Sequence, residues 1–194
     1  MMGTSSVRNA STERRSSRAW IMVFAVPLLV GAGSSAQIGA KVTTFERQDQ
    51  TGKMIKLAEA MRGAKAVVVD FWSSRCPVSQ RYEPVLKKLA GDYTPKGVLF
   101  LAIDSNYNEP AAEVQKIRTE RGVPYPVLMD GTTGELAAYF GASHTPEAYL
   151  ITPAGVLVYH GNLDDIAGAL DAVLAGKPVP KAETRAFGCS IKRP

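Results

Sequence analysis

Cysteine and histidine are scarce in this sequence, with two of each among 194 residues. His144 and His160 have no acidic or thiol neighbours at the spacing of metal ligands, so no metal site is expected. Both are expected to be surface or helix-capping residues, although His144 could approach a site near Pro146. The sequence also lacks a glycine-rich phosphate loop and a Ser–His–Asp pattern, and one cysteine with a distant histidine does not indicate a cysteine hydrolase. No cofactor is expected.

Beyond the first 36 residues, the sequence has almost no excess charge. The formal net charge is +5, but residues 1–36 hold one acid, Glu13, and four bases, Arg8, Arg14, Arg15 and Arg18. The remaining 19 basic and 17 acidic residues form no basic stripe, which argues against a nucleic-acid partner. With 45% hydrophobic and 21% charged residues, the composition is typical of a globular protein.

Residues 1–36 are predicted to be a signal peptide. A basic stretch ends at Arg18, an apolar run spans 19–30, and small residues lead to a cleavage site after Ala36. The run is shorter than the roughly 20 apolar residues that span a bilayer. An uncleaved anchor is the less favoured alternative and the one membrane contact expected. The sequence therefore predicts an exported, periplasmic or extracytoplasmic protein, with a domain over 37–176 and an extended tail over 177–194.

Strand and helix patterns alternate through this domain. Continuous apolar runs predict buried strands at 66–72 and 98–104, and shorter runs predict strands at 126–130, 147–152 and 156–161. Apolar residues at helical spacing predict helices at 55–61, 77–91, 109–121, 134–140 and 164–175. The last two strands flank a Gly-containing turn and should form a hairpin. This order predicts an α/β fold, with a central mixed β-sheet flanked by helices.

Cys76 stands between the first strong strand and a helix that begins with Pro77. Proline is favoured at the first helical position, so Cys76 should be the N-cap, with its sulfur facing the N–H groups of the first turn. Those groups and the positive end of the helix dipole favour the thiolate, which is the nucleophile. The Ser79 hydroxyl and the charge of Arg75 are expected to add to this effect. The alternative is a buried, inert cysteine.

Residues 69–72 (VDFW), followed after three residues by Cys76, resemble the active-site region of thioredoxins. The resemblance implies that Asp70 lies buried beneath the cysteine and handles protons. It also implies that Trp72 forms the aromatic floor of the site. Each of these motifs is weak alone, but their combination is more specific.

Thr145 and Pro146 precede a strand, as the cis-proline of thioredoxins does. In that family the cis-proline loop lies beside the active cysteine and presents backbone to the substrate. This chain departs from thioredoxins at Ser79, which stands where they have a second cysteine, so no disulfide can form within residues 76–79. Any disulfide partner of Cys76 must therefore come from elsewhere.

The chain is also similar to peroxiredoxins, and most of all to an exported bacterial peroxiredoxin-like redoxin group of the AhpC/TSA type. The likeness rests on residues 76–82 (CPVSQRY), 103–106 (IDSN) and 188–192 (GCSIK), on Ser73, and on an extra helix and strand between Asp104 and Asp130. Val69 replaces the peroxiredoxin proline, and no arginine near Glu147 matches their peroxide-activating one. The resemblance implies a thioredoxin-like fold with a redoxin-type insertion, and the departures argue against efficient peroxidase activity.

Cys189 lies on the C-terminal tail, where a mobile resolving thiol is expected. It would release Cys76 from a sulfenic acid or a mixed disulfide, within one chain or across a homodimer. Gly188 should let the chain turn sharply, and Phe187 should dock into an apolar groove. The alternatives are a static disulfide staple and a spare thiol, because loop length alone does not distinguish a staple from a catalytic pair.

The leading hypothesis is a thiol-dependent, peroxiredoxin-like oxidoreductase in which Cys76 attacks a peroxide or a protein disulfide and an external thiol reductant restores it. One alternative is a thioredoxin-type exchange protein without peroxidase activity. Another is a non-catalytic thioredoxin-fold module with a structural Cys76–Cys189 disulfide. The residues expected to contact the substrate are Trp72, Arg75, Pro77, Thr145 and Pro146.

Overall fold

The computed structural model describes residues 1–3 and 35–194, and the elements named here lie in the second range. The strands are β1 (Glu46–Gln48), β2 (Met54–Lys56), β3 (Ala66–Phe71), β4 (Val98–Asp104), β5 (Val127–Met129), β6 (His144–Thr145), β7 (Glu147–Ile151), β8 (Leu157–Gly161) and β9 (Cys189–Ser190). The helices are α1 (Leu57–Ala60), α2 (Pro77–Tyr93), α3 (Ala111–Glu120), α4 (Glu135–Phe140) and α5 (Ile166–Leu174), with a 3₁₀ turn at Thr94–Lys96. Nearly all of the predicted signal peptide, residues 4–34, lies outside the described residues. Among those described, no helix has the length and apolar character needed to cross a membrane.

Five strands form the central sheet in the order β5-β4-β3-β7-β8. Strands β3, β4 and β5 run parallel, whereas β7 runs antiparallel to β3 and β8 runs antiparallel to β7. The register places Val69 between Leu101 of β4 and Tyr149 of β7. The predicted fold class is confirmed: this is a thioredoxin-like α/β fold with a mixed sheet flanked by helices.

Strand β3 feeds two hydrophobic cores, because successive residues of a strand point to opposite faces of the sheet. Val68 belongs to the core that also contains residues of α2, α3 and α5, and Val69 to the core with residues of α1 and α4. All six residues of β3 are buried, which accounts for its nearly continuous apolar run. The one acid, Asp70, shares the face of Val68 and pairs across the sheet with Ala102 and Ala148, whose small side chains leave it room.

Helix α2 begins at Pro77, as predicted, and its buried residues include Leu86 and Leu89. Packing these residues against the sheet fixes the start of the helix beside the carboxyl end of β3. In open α/β sheets, the carboxyl ends of the parallel strands are where ligands and reacting groups are usually found. The sequence therefore places Cys76, the residue just before α2, at the edge where a site is expected.

The hairpin of β1 and β2 differs from the prediction of one helix over 55–61. The two strands pair antiparallel, and only Leu57–Ala60 is helical. The turn between them is closed by the Asp49 carboxylate, which accepts hydrogen bonds from the N–H groups of Thr51 and Lys53, and by Gly52 at a φ of 87°. Both strands have only three residues and are mostly exposed, so their sequence carries little apolar alternation.

The tail is bound to the domain along β8 and again beside β6. Residues 182–184 run along β8, where the N–H of His160 donates to Ala182 and the N–H of Thr184 donates back to His160. Further on, β9 pairs antiparallel with β6. The expected docking of Phe187 is wrong, because its side chain is 78% exposed; Ile191, 8% exposed, is the tail residue buried against the domain.

Candidate active site

Cys76 is the N-cap of α2 and is only 3% exposed. Its sulfur accepts a hydrogen bond from the backbone N–H of Ser79 at 3.4 Å. The extended backbone of Cys76, at φ −80° and ψ 117°, and the fixed φ of Pro77 together turn the side chain back over the first turn. The sulfur thus lies where helix N–H groups stabilise negative charge.

The loop before Cys76 is supported by a buried acid that the sequence did not reveal. The Ser73 hydroxyl accepts the N–H of Cys76 at 3.1 Å and donates to Glu109 at 2.5 Å. Glu109 also accepts the N–H of Ser74 at 2.6 Å and its hydroxyl at 2.5 Å. This buried carboxylate therefore holds three donors of one loop, and only tertiary structure brings Glu109 to it.

Two residues expected to support the thiolate lie differently. The guanidinium of Arg75 binds Glu113 through two nitrogens, at 2.6 and 2.7 Å, so its charge is offset by a carboxylate instead of being directed at the sulfur. The buried hydroxyl of Ser79 has no hydrogen-bond partner among residues 1–3 and 35–194. It is the backbone N–H of Ser79, and not its hydroxyl, that contacts Cys76.

Asp70 is buried, 1% exposed, on the face of β3 that it shares with Val68, and Trp72 is fully buried in the core on that face. Burial raises the pKa of Asp70 well above its usual range, and the negative charge of Glu147 raises it further. Burial therefore favours the protonated form of this acid. The burial that the thioredoxin resemblance implied for Asp70 is thus present, and its proton-handling role stays a prediction.

Glu147 follows the cis-proline loop and accepts four hydrogen bonds. Burial works against its ionisation, but bonds from His160 and from the N–H groups of Ser143 and His144 hold its pKa below the usual range. His160 lies 2.6 Å from the carboxylate and stacks on Tyr149 with ring centroids 4.6 Å apart. The expectation of a surface histidine was wrong for His160, because the partner carboxylate lies 13 residues away on a neighbouring strand.

The peptide bond between Thr145 and Pro146 is cis, as the resemblance implied. The carbonyl oxygen of Thr145 lies 3.1 Å from the sulfur of Cys76, so the cis-proline loop does lie beside the cysteine. His144, which precedes this loop, bonds through Nδ1 to the Ser143 hydroxyl at 2.8 Å. Its imidazole is therefore engaged with a neighbouring residue and not with the sulfur.

Cys76 and Cys189 form a disulfide within one chain, with Cα atoms 6.0 Å apart, inside the usual range for such bonds. Beside it lies a pocket of about 290 Å³, lined mainly by polar and charged residues: Ser73, Arg75, Cys76, Asn106, Asn108, Glu109, Thr145, Cys189, Ser190 and Lys192. The arrangement places a pair of cysteines at a helix N-terminus and next to an open pocket.

The AhpC/TSA family profile matches residues 38–160, which is more than half of the chain. The chain belongs to the AhpC/TSA family. The match covers β3, α2, the inserted α3 and β5, and the cis-proline loop, but it ends before the tail that carries Cys189.

This AhpC/TSA protein is similar to a thiol-disulfide oxidoreductase in sequence and to several solved structures in fold. It is 34% identical to the thiol-disulfide oxidoreductase ResA of Halalkalibacterium halodurans over 125 residues, 64% of this chain and 68% of the relative. A hypothetical protein from Sinorhizobium meliloti superposes with a TM-score of 0.75 at 31% identity, over 83% of this chain and 97% of the other. The peroxidoxin BcpB of Mycobacterium tuberculosis, at 21% identity, has a TM-score of 0.62 over 73% and 97% of the two chains, which shows the fold alone.

Family, fold and a disulfide at the N-terminus of α2 make this AhpC/TSA protein a thiol oxidoreductase. The alternative of an isolated, inert Cys76 does not fit this pairing. What the geometry adds to the family is a second cysteine delivered by the tail, outside the region that the family profile covers.

Proposed function

We propose that this protein is an exported thiol–disulfide exchange enzyme that reduces disulfides of partner proteins through Cys76. The observation that carries the proposal is the Cys76–Cys189 disulfide, which joins the start of α2 to the tail strand that pairs with the cis-proline loop. A purely structural disulfide would stabilise the fold equally well elsewhere on the surface. The Cys76–Cys189 disulfide instead lies at a helix N-terminus beside a pocket, where the thiolate form of a cysteine is favoured.

In the reduced protein, the Cys76 thiolate attacks one sulfur of a partner disulfide. A mixed disulfide forms, the partner's S–S bond breaks, and its other sulfur leaves as a thiolate that takes up a proton. The thiolate of Cys189 then attacks Cys76, forming the intramolecular disulfide and releasing the second partner sulfur. The partner gains two electrons, and an external dithiol reductant restores the pair.

The test mixes the reduced full-length protein with one equivalent of a protein that carries a single accessible disulfide, and separately with one equivalent of hydrogen peroxide. Intact mass and peptide mapping follow the loss of two hydrogens and the appearance of the Cys76–Cys189 link. We expect the link to form within seconds with the protein disulfide and at least about 10-fold more slowly with peroxide. A protein that stays reduced for minutes in both mixtures would leave only the structural staple.

Peroxide reduction is the second candidate, and Ser73 is the observation that favours it. Its hydroxyl holds the N–H of Cys76 from the position where peroxiredoxins have Thr or Ser. In that reaction Cys76 would become a sulfenic acid, and Cys189 would displace water from it. A faster reaction with peroxide than with the protein disulfide would establish this function instead.

The location outside the cytosol belongs to the same proposal. It is supported by the basic, apolar and small-residue order of residues 1–36. N-terminal sequencing of protein made in its own host should begin at Gln37. A sequence that begins at Met1 or Met2 would contradict cleavage.

A further inference from the structure

The end of the tail is bound as a peptide is bound by a sheet edge. On one side, Cys189 and Ser190 pair with Thr145 and His144, and the N–H of Ile191 donates to Ser143 at 3.0 Å. These contacts use backbone atoms, so they accept any extended segment. We call the space between residues 106–107 and 143–145 the tail-binding cleft.

The opposite side of the cleft binds Lys192 of the tail through two hydrogen bonds. The N–H of Lys192 donates to the side-chain oxygen of Asn106 at 2.9 Å, and the N–H of Tyr107 donates to the carbonyl of Lys192 at 3.1 Å. The Asn106 side chain is itself held, because its amide nitrogen donates to Asp104 at 3.0 Å. The cleft is therefore built from fixed groups on two loops.

Selectivity enters just before the cysteine. A Cβ atom on Gly188 would lie 2.1 Å from the carbonyl oxygen of Thr145 and 2.6 Å from its carbon. Both are backbone atoms next to the cis-proline and cannot move as a flexible side chain does. Gly188 does not have a positive φ, so glycine is needed here for close approach and not for the sharp turn expected from the sequence.

A second preference lies two residues after the cysteine. Ile191 is buried in the core that includes Phe71, Phe140 and Ala142, whereas Ser190 is exposed. Burying an aliphatic side chain of this size stabilises a complex by about 1.5–3 kcal/mol before the cost of ordering it. The cleft thus fits the pattern glycine, cysteine, any residue, aliphatic residue.

We propose that the tail-binding cleft recognises extended partner segments of the form Gly-Cys-Xaa-aliphatic, and that the tail is a tethered copy of such a substrate. The inference rests on the proposed function and names its substrate class. In the oxidised protein the tail fills the cleft. In the reduced protein, a partner disulfide with one cysteine in this setting displaces the tail. Cys76 attacks that cysteine, the partner's S–S bond breaks, and its other sulfur leaves as a thiolate that takes up a proton. The mixed disulfide is broken in turn when Cys189 returns and attacks Cys76.

The test uses three octapeptides with the sequence of residues 186–193: the parent AFGCSIKR, the Gly188→Ala peptide and the Ile191→Ser peptide. Each carries its cysteine as a mixed disulfide with 2-nitro-5-thiobenzoate, whose release is followed by absorbance. The enzyme is the full-length Cys189→Ser variant, so that Cys76 is the one attacking thiol. A second enzyme, Cys189→Ser with Ile191→Ser, weakens the hold of the tail on the cleft.

We expect the parent peptide to react at least about 10-fold faster than the Gly188→Ala peptide and about 3-fold faster than the Ile191→Ser peptide. The second enzyme should react several-fold faster than the first with the parent peptide. The symmetrical small disulfide 5,5′-dithiobis(2-nitrobenzoate), which has no peptide segment to bind the cleft, measures the access to Cys76 in each enzyme, and the peptide rates are compared relative to it.

Equal rates for the three peptides, with a normal reaction of the small disulfide, would overturn the inference and leave the proposed function standing. No reaction with the small disulfide or with any peptide would instead overturn the proposed function. A Gly188→Ala peptide that reacts as fast as the parent would by itself remove the glycine requirement.

Discussion

The two cysteines of the disulfide are held in different ways. Cys76 is fixed by the fold: it caps a helix packed on the sheet, and Ser73 and Glu109 hold its loop. Cys189 is half-buried on a two-residue strand that is attached through backbone bonds, one close glycine contact and Ile191. The sulfur of Cys76 is therefore held in place by the fold. The sulfur of Cys189 is held by contacts that another extended peptide could make in its place.

The largest expected effect tests that difference directly. Cys76→Ser should reduce the reaction with a disulfide substrate by at least about 1,000-fold, because the nucleophile is lost. Cys189→Ser should leave the first step within about 3-fold and accumulate the mixed disulfide. Stopped-flow thiol release and intact mass measure both. Equal losses in the two variants would mean that the cysteines are not chemically distinct.

The loop that holds Cys76 in place depends on the Glu109 carboxylate, so the second prediction weakens that carboxylate. Glu109→Gln keeps the shape but removes one of the acceptor oxygens that bind the Ser73 and Ser74 donors, so the free energy of unfolding should fall by about 1–3 kcal/mol. Urea denaturation of the oxidised protein measures it. Glu120→Gln, on the exposed end of α3, is the matched control and should change little. Similar values for the two variants would remove Glu109 from the support of the loop.

The position of Cys189 depends on the close approach of Gly188 to Thr145. Gly188→Ala should force the tail away from Thr145 and make the disulfide about 10-fold easier to reduce, measured as the ratio of oxidised to reduced dithiothreitol at the midpoint. Gly168→Ala, within α5, is the control. A Cβ added at Gly168 would meet no atom within 4 Å, and alanine should slightly stabilise the helix. A Gly188→Ala disulfide with unchanged stability would mean that the tail does not need this close contact.

The smallest expected effect concerns the buried carboxyl group of Asp70. The folded pKa of Asp70 is raised, so as pH rises above about 4, where an ordinary aspartate ionises, the unfolded chain releases a proton that the folded chain keeps. Stability therefore falls as pH rises from there to the raised pKa. Asp70→Asn should be more stable than the parent at pH 7, by about 1 kcal/mol, and the gain should vanish near pH 4. Denaturation curves across this pH range test it, with exposed Asp92→Asn as the control.

The parts of the fold that the sequence predicted well are those whose pattern is long and local. The strands at 66–72 and 98–104 and the helix after Pro77 were all predicted because apolar runs and a capping position are visible in consecutive residues. The β1–β2 hairpin was missed because its strands are short and exposed. The pairing of Cys76 with Cys189 stayed open for a similar reason, since nothing local ties two residues 113 positions apart.

The site shows the same division. Residues 69–79 could be placed from sequence because they form one strand, one loop and one helix start. Glu109 and the His160–Glu147 pair could not, because their roles depend on which loops and strands the topology brings together. Arg75 was expected at the sulfur, but a carboxylate on α3 binds it, and such competition between partners is not visible in a sequence.

The attachment of residues 182–184 to β8 limits how far the redox chemistry can open the molecule. At Gly161, an added Cβ would lie 2.0 Å from the Thr184 side chain, so this part of the tail is held independently of the disulfide. Cys189 follows Thr184 by five residues, which span at most about 17 Å. In the reduced protein, the Cys189 thiol therefore stays tethered near Cys76, and its effective concentration there is in the millimolar range or above. Under the proposed function, Cys189 would therefore outcompete an external thiol at micromolar concentration, and the mixed disulfide with a partner would be resolved within the protein.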